Sequence, residues 1–147
     1  MRSIIEILYF YKKGNLALCD GLTGCYNRNW WELFGTVKYN NEVLYVTVID
    51  VNGLKRINDT YGHSAGDAKI IQTANALKTS IPGAKIARIG GDEFVILSRM
   101  DITPVLKAVA PVYQFSYGVR RKDLGISVRS AFEDADYLMY KMKAQEV

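Results

Sequence analysis

The stretch Lys85-Ile86-Ala87-Arg88-Ile89-Gly90-Gly91-Asp92-Glu93-Phe94-Val95-Ile96-Leu97 decides how this chain folds. Both arms are rich in β-branched or aromatic residues, so each reads as a strand, and the glycine pair between them makes the whole a β-hairpin. Glycine has no Cβ, which lets the backbone turn tightly and approach a ligand. Asp92 and Glu93 follow at once, so the hairpin presents two carboxylates at its tip. Carboxylates beside a backbone without side chains suit a hard cation and a polyphosphate. An ordinary Gly-Asp turn would look the same in isolation, and the rest of the chain decides between the two.

Upstream, Val43-Leu44-Tyr45-Val46-Thr47-Val48-Ile49 is the clearest strand. It is apolar enough to be buried on both faces, and it stops at Asp50. If this strand neighbours the hairpin in one sheet, Asp50, Asp92 and Glu93 converge on one edge. Two bare charges about 4 Å apart would repel by roughly 4 kcal/mol at an effective dielectric near 20. A divalent cation relieves that repulsion, and Mg²⁺ suits one or two carboxylates completed by substrate phosphates and water. Paired metals polarise both ends of an in-line phosphoryl displacement.

The remaining pattern predicts helices around that sheet. Asn27-Arg28-Asn29 reads as the N-cap of a helix carrying Trp30, Trp31, Leu33 and Phe34. Lys38 to Glu42 is a polar loop, Asn52-Gly53 a turn, and Leu54 to Asp59 a short helix. Tyr61 to Asp67 reads as a loop before an amphipathic helix from Ala68 to Thr79, ended by Pro82-Gly83. A short helix from Pro104 to Ala110 and a strand from Val112 to Val119 follow. The last helix, about Val128 to Ala144, is expected to bury Ala131, Ala135, Leu138 and Met142 on one face. This order predicts an α+β domain with helices covering a central sheet.

Bulk composition narrows the function classes. The 147 residues, 49% hydrophobic, fit one domain with a proper core. We divide them into an N-terminal apolar lead, 1–18, and a compact domain, 19–147. A net charge of +4 accommodates an anionic small ligand, and no dense Lys/Arg block points to nucleic acid. Cys19 and Cys25 lack zinc-ligand neighbours, which suits a reduced, cytoplasmic chain. The apolar run Ile4 to Tyr11 is far short of the roughly 20 residues of a membrane span, and Glu6 interrupts it. It is expected to pack as a short helix or strand on the domain or on a second subunit.

Motifs in a fixed order then carry a resemblance. Asp20-Gly21-Leu22-Thr23-Gly24-Cys25-Tyr26-Asn27-Arg28 resembles D-x-L-T-G-L-x-N-R. Val48 to His63 followed by Gly66-Asp67 resembles D-x-D-x-F-K-x-I-N-D-x-x-G-H-x-x-G-D. With Arg88-Ile89 leading into Gly90-Gly91-Asp92-Glu93-Phe94, the chain resembles the GGDEF domain of diguanylate cyclases from about Asp20 to Lys143. The resemblance implies a fold similar to the palm of polymerases and nucleotidyl cyclases, with a central, mostly antiparallel sheet flanked by helices. It implies condensation of two GTP into cyclic di-GMP with release of pyrophosphate, in a homodimer that brings two nucleotides face to face. By position, Asp50 and Asp92 would ligate Mg²⁺ (or Mn²⁺) with help from the Val51 carbonyl. Glu93 would complete the acidic site as a metal ligand or near the attacking 3′-hydroxyl. Asn58 and Asp67 would read guanine, whose N1–H and 2-amino donors suit a carboxylate. Lys55, Lys143 and the backbone of Gly53, Leu54, Gly90 and Gly91 would face the nucleotide's phosphates. Arg28 is expected to tie the entry turn through Asp20, and His63 to be structural.

Departures from the family pattern matter too. Asn52 stands where a second acid is usual, and Gly53-Leu54 replaces a bulkier pair. The inhibitory R-x-x-D motif would fall on Ile81-Pro82-Gly83-Ala84, so no product-inhibition site is expected. Val147 replaces a basic partner of Lys143, which points to weaker triphosphate binding. The alternatives to an active cyclase are a catalytically silent GTP-binding module acting by protein contact, and a cyclase making a mixed dinucleotide. Asp67 speaks against the last.

Overall fold

Leu44–Val51 forms β1, the strand on which everything else is hung. The computed structural model describes residues 3–14 and 17–145; Val147 lies outside them. The other strands are β2 (Lys85–Arg88), β3 (Glu93–Ser98) and β4 (Phe115–Lys122). They lie in the order β2-β3-β1-β4, and every pairing is antiparallel. The predicted hairpin and its adjacency to the buried strand are both present.

Alternation along β1 separates two cores. Ile49 and Val51, with Phe94, Ile96 and Phe115, pack under α5 (His63–Ser80) and α6 (Thr103–Tyr113) through Ile70, Leu77 and Leu106. Leu44, Val46, Val95 and Leu97 face the other way, against Trp30, Trp31 and the start of α7 (Val128–Ala144). Val48 continues that face against Ala135 and Met139. The two-residue period therefore places Asp50 and Glu93 on the α7 side.

Helices at the N-terminal side follow their caps. α1 (Ile4–Lys12) opens with a capping box in which Ser3 Oγ accepts from the Glu6 N–H and Glu6 accepts from the Ser3 N–H. Its inner side buries Ile7 and sets Tyr11 edge-on to Phe34, while Ile4, Ile5 and Tyr9 are exposed. α2 (Arg28–Trp30) is capped by Asn27, as the sequence predicts, and runs through a π-helical turn (Trp31–Gly35) into α3 (Thr36–Lys38). Gly35 is needed there, because a Cβ would lie 2.5 Å from the Trp31 ring.

Three sequence expectations are corrected. Tyr61 to Asp67 is not a loop: α4 (Leu54–Tyr61) and α5 are separated by Gly62 alone, at φ +90°. Poor local propensity is overridden by packing, since Gly66 is buried in the first turns of α5. α6 runs through Pro111 to Tyr113, so the strand starts at Phe115 rather than Val112. The helix stops where Gln114 adopts φ +59° and its N–H returns to the Ala110 carbonyl at 2.7 Å. On α7 the buried residues are Val128, Ala131, Ala135 and Met139, with Leu138 42% exposed. Gly118 draws the helix down, leaving no room for a Cβ, which would sit 2.0 Å from the Ala135 carbonyl oxygen.

The far end of the sheet from Asp50 is closed by Lys122, paired with Leu44 and wholly buried. Its ammonium donates to the carbonyls of Asn40 (2.8 Å), Ile126 (2.9 Å) and Asp123 (3.3 Å). A buried ammonium is tolerated when its donors are met.

Candidate active site

Register builds the site. Asp50 pairs directly with Glu93 across β1 and β3, and the Val51 N–H donates to the Asp92 carbonyl at 2.9 Å. The turn between the hairpin strands is held from behind by Arg88, whose guanidinium donates to the Gly91 carbonyl at 2.7 Å and 3.2 Å and pairs with Asp20 at 3.2 Å. Arg28 does not make the expected tie to Asp20. It donates to the Ile89 carbonyl at 2.9 Å and pairs with Glu32. Arg88 takes the anchoring role because β2 carries it directly behind the turn. Burial alone would raise the Asp20 carboxyl, but the Thr23 hydroxyl and N–H together with Arg88 hold it below its usual range.

The acidic edge is electrostatically loaded. Burial raises the Asp50 carboxyl, opposed by its hydrogen bond from Lys143 and reinforced by Asp92 and Asp136. Glu93 is pushed up to about 7 by burial, then by Asp136, Asp50 and Asp92, with Arg28 opposing. Lys143 Nζ donates to Asp50 Oδ1 at 2.7 Å. Asp136 is the acid that sequence reasoning missed. It lies seven residues before Lys143, two turns along α7, and that spacing was the available signal.

Among the described residues, no three acidic, histidine or cysteine side chains stand close enough to cage a metal unaided. The donor set fits a shared site instead: Mg²⁺ binds through one or two carboxylates and takes its other oxygens from phosphates and water. Asp50 and Asp92 could supply the carboxylates. Asn52 is turned to β4, its Oδ1 accepting from Ser116 at 2.9 Å. Lys69 Nζ braces the same loop through the Asn52 carbonyl and Gln114 Oε1, and burial lowers its ammonium pKa.

The nucleotide candidates lie on α4, on α5 and at the hairpin tip. Gly53, at φ +67° with open space beside it, precedes Leu54 and exposed Lys55 at the N-terminus of α4. Asn58 Oδ1 is buried and accepts no hydrogen bond among the described residues. It rests over Gly66, where a Cβ would come within 1.8 Å. Asp67 is exposed in the first turns of α5. Gly90 and Gly91 are exposed at the hairpin tip, and His63 is exposed at the start of α5.

Comparison with known proteins agrees with this architecture. The sequence model of the family "Diguanylate cyclase, GGDEF domain" matches residues 17–114. Probable diguanylate cyclase DgcC of Escherichia coli (strain K12) is 35% identical over 106 residues, which are 68% of this chain and 28% of that protein. The chain thus spans less than a third of that relative's length. The GGDEF domain of DgcB from Caulobacter crescentus, solved in complex with c-di-GMP, superposes with a TM-score of 0.75 at 25% identity, covering 89% of this chain and 90% of that one. A microbial GGDEF domain studied for its interaction with cyclic di-GMP gives 0.76 at 28% identity, over 88% of this chain and 95% of that one. With the motifs, the fold and the acidic edge in place, the chain belongs to the GGDEF-domain family.

Proposed function

We propose that this domain is a diguanylate cyclase, joining two GTP molecules into cyclic di-GMP with loss of pyrophosphate. The observation that carries this reading is the in-register pairing of Asp50 with Glu93, with Asp92 one residue away at the turn. Asp50 and Asp92, with the Val51 carbonyl, would hold a divalent cation against the nucleotide. That cation would supply the charge that makes the 3′-hydroxyl acidic and offsets charge developing at the α-phosphate. Glu93, paired in register with Asp50, would complete the acidic site as a further metal ligand or beside the attacking 3′-hydroxyl.

Base choice follows from α4 and α5. Among the described residues nothing donates to the buried Asn58 Oδ1, and a buried acceptor without a donor is costly. A guanine edge offers N–H donors to Asn58 and Asp67, while adenine does not present the matching pair. Gly53, Leu54 and Lys55 would meet the phosphates at the N-terminus of α4. Each domain would bind one GTP, so two domains must meet for catalysis. We expect no product feedback at Ile81-Pro82-Gly83-Ala84, which carries neither the arginine nor the aspartate of the inhibitory motif.

The test is incubation with GTP, ATP and Mg²⁺ and identification of products by mass. We expect cyclic di-GMP from GTP alone, and at least a hundredfold less from Asp92→Ala. Bound but unconverted GTP would instead identify a silent nucleotide-binding module.

A further inference from the structure

We propose that Lys143 is a tethered counter-ion that occupies the cation position at Asp50 until metal and polyphosphate arrive together, and then passes to the phosphates. The inference rests on the metal–nucleotide reading above and adds the coupling between the two ligands. Its basis is the 2.7 Å contact between Lys143 Nζ and Asp50 Oδ1. The Asp50 side chain is 15% exposed and that of Lys143 41%, so the pair is shielded on the carboxylate side and open on the ammonium side.

Asp50 is flanked by Asp92, Glu93 and Asp136, and the Lys143 ammonium donates directly to it. Arg28, whose charge acts on Glu93, donates to the Ile89 carbonyl and pairs with Glu32. A divalent ion arriving alone at Asp50 meets Lys143 already in place, and like charges at such separations repel strongly. A metal-bound polyphosphate meets a different situation. It brings the replacement cation for Asp50 and also an anion able to receive the displaced ammonium. The move is mechanically local: lysine is a point charge on a flexible four-carbon stem. The body of α7 stays fixed meanwhile, because Ala135 and Met139 are packed on Val48 and the helix backbone lies against Gly118. Metal and phosphate therefore bind cooperatively, and by linkage each raises the other's affinity by the same factor.

The experiment measures Mn²⁺ binding without nucleotide, by electron paramagnetic resonance and calorimetry, on the wild type, Lys143→Met, Lys143→Arg and Asp50→Asn. Lys143→Met is expected to bind Mn²⁺ roughly five- to tenfold tighter than wild type. Lys143→Arg, which keeps the charge, should return to wild-type affinity, and Asp50→Asn should lose the site. Adding GTP should then tighten Mn²⁺ binding more in the wild type than in Lys143→Met. Equal or weaker Mn²⁺ binding by Lys143→Met overturns the exchange while leaving the cyclase reading intact. Mn²⁺ binding that Asp50→Asn leaves unchanged overturns the metal seat itself, and with it this proposal.

Discussion

At the scale of single residues, Glu93 is the most loaded group. Its carboxyl titrates near 7 in the fold against an ordinary 4.5. Between those values the folded chain holds a proton that the unfolded chain has released. Stability from this group therefore falls as pH rises through that window and is fully lost above it. Glu93→Gln, which mimics the protonated form, should stabilise the metal-free protein by about 1–2 kcal/mol at pH 8, after allowance for solvent screening. At pH 4.5 it should change little, and urea titrations at the two pH values check the difference. Gly66 gives a second test at this scale. A methyl at Gly66 would displace the Asn58 side chain, 1.8 Å away, without touching the acidic edge. Gly66→Ala should weaken GTP binding about tenfold and ATP binding hardly at all, measured by calorimetry.

At the scale of elements, α7 carries Asp136 and Lys143 to the site, and Gly118 sets its height. The atoms that a Gly118 Cβ would meet are backbone, the Ala135 oxygen at 2.0 Å and the Met139 nitrogen at 2.5 Å. Gly118→Ala must lift the helix, and we expect a loss of about 2–4 kcal/mol in urea unfolding. Sequence made β1, the hairpin, the Asn27 cap and the extent of α7 legible, because each depends on a local period or cap. It misread the stretch before β4, where Val112 and Tyr113 look like strand but complete the last turn of α6. It misread Tyr61 to Asp67 because glycine and histidine signal a loop unless burial outweighs propensity. The acidic edge was legible from motif spacing. Arg88's hold on the turn was not, since it arrives through tertiary packing, and Asp136 had only its spacing from Lys143 as a signal.

At the scale of the whole molecule, the proposed reading gives each domain one nucleotide, and the proposed product needs two. The rate of cyclic di-GMP formation should therefore rise faster than linearly with protein concentration from nanomolar to micromolar, and a strictly linear dependence would sink the dimer requirement. The domain is also polarised along β1. At Leu44 the chain supplies its own cation: the Lys122 ammonium satisfies three carbonyls and leaves that end indifferent to dissolved ions. At Asp50 the balance runs the other way, with more acid than the chain neutralises. One pole is sealed by a buried ammonium, while at the other the Lys143 ammonium leaves acid over for an exchangeable ion to meet. Salt and chelators should thus loosen or tighten the molecule at a single end, and amide exchange should report the change at Asp50 to Asn52 while the strand start at Leu44 stays silent.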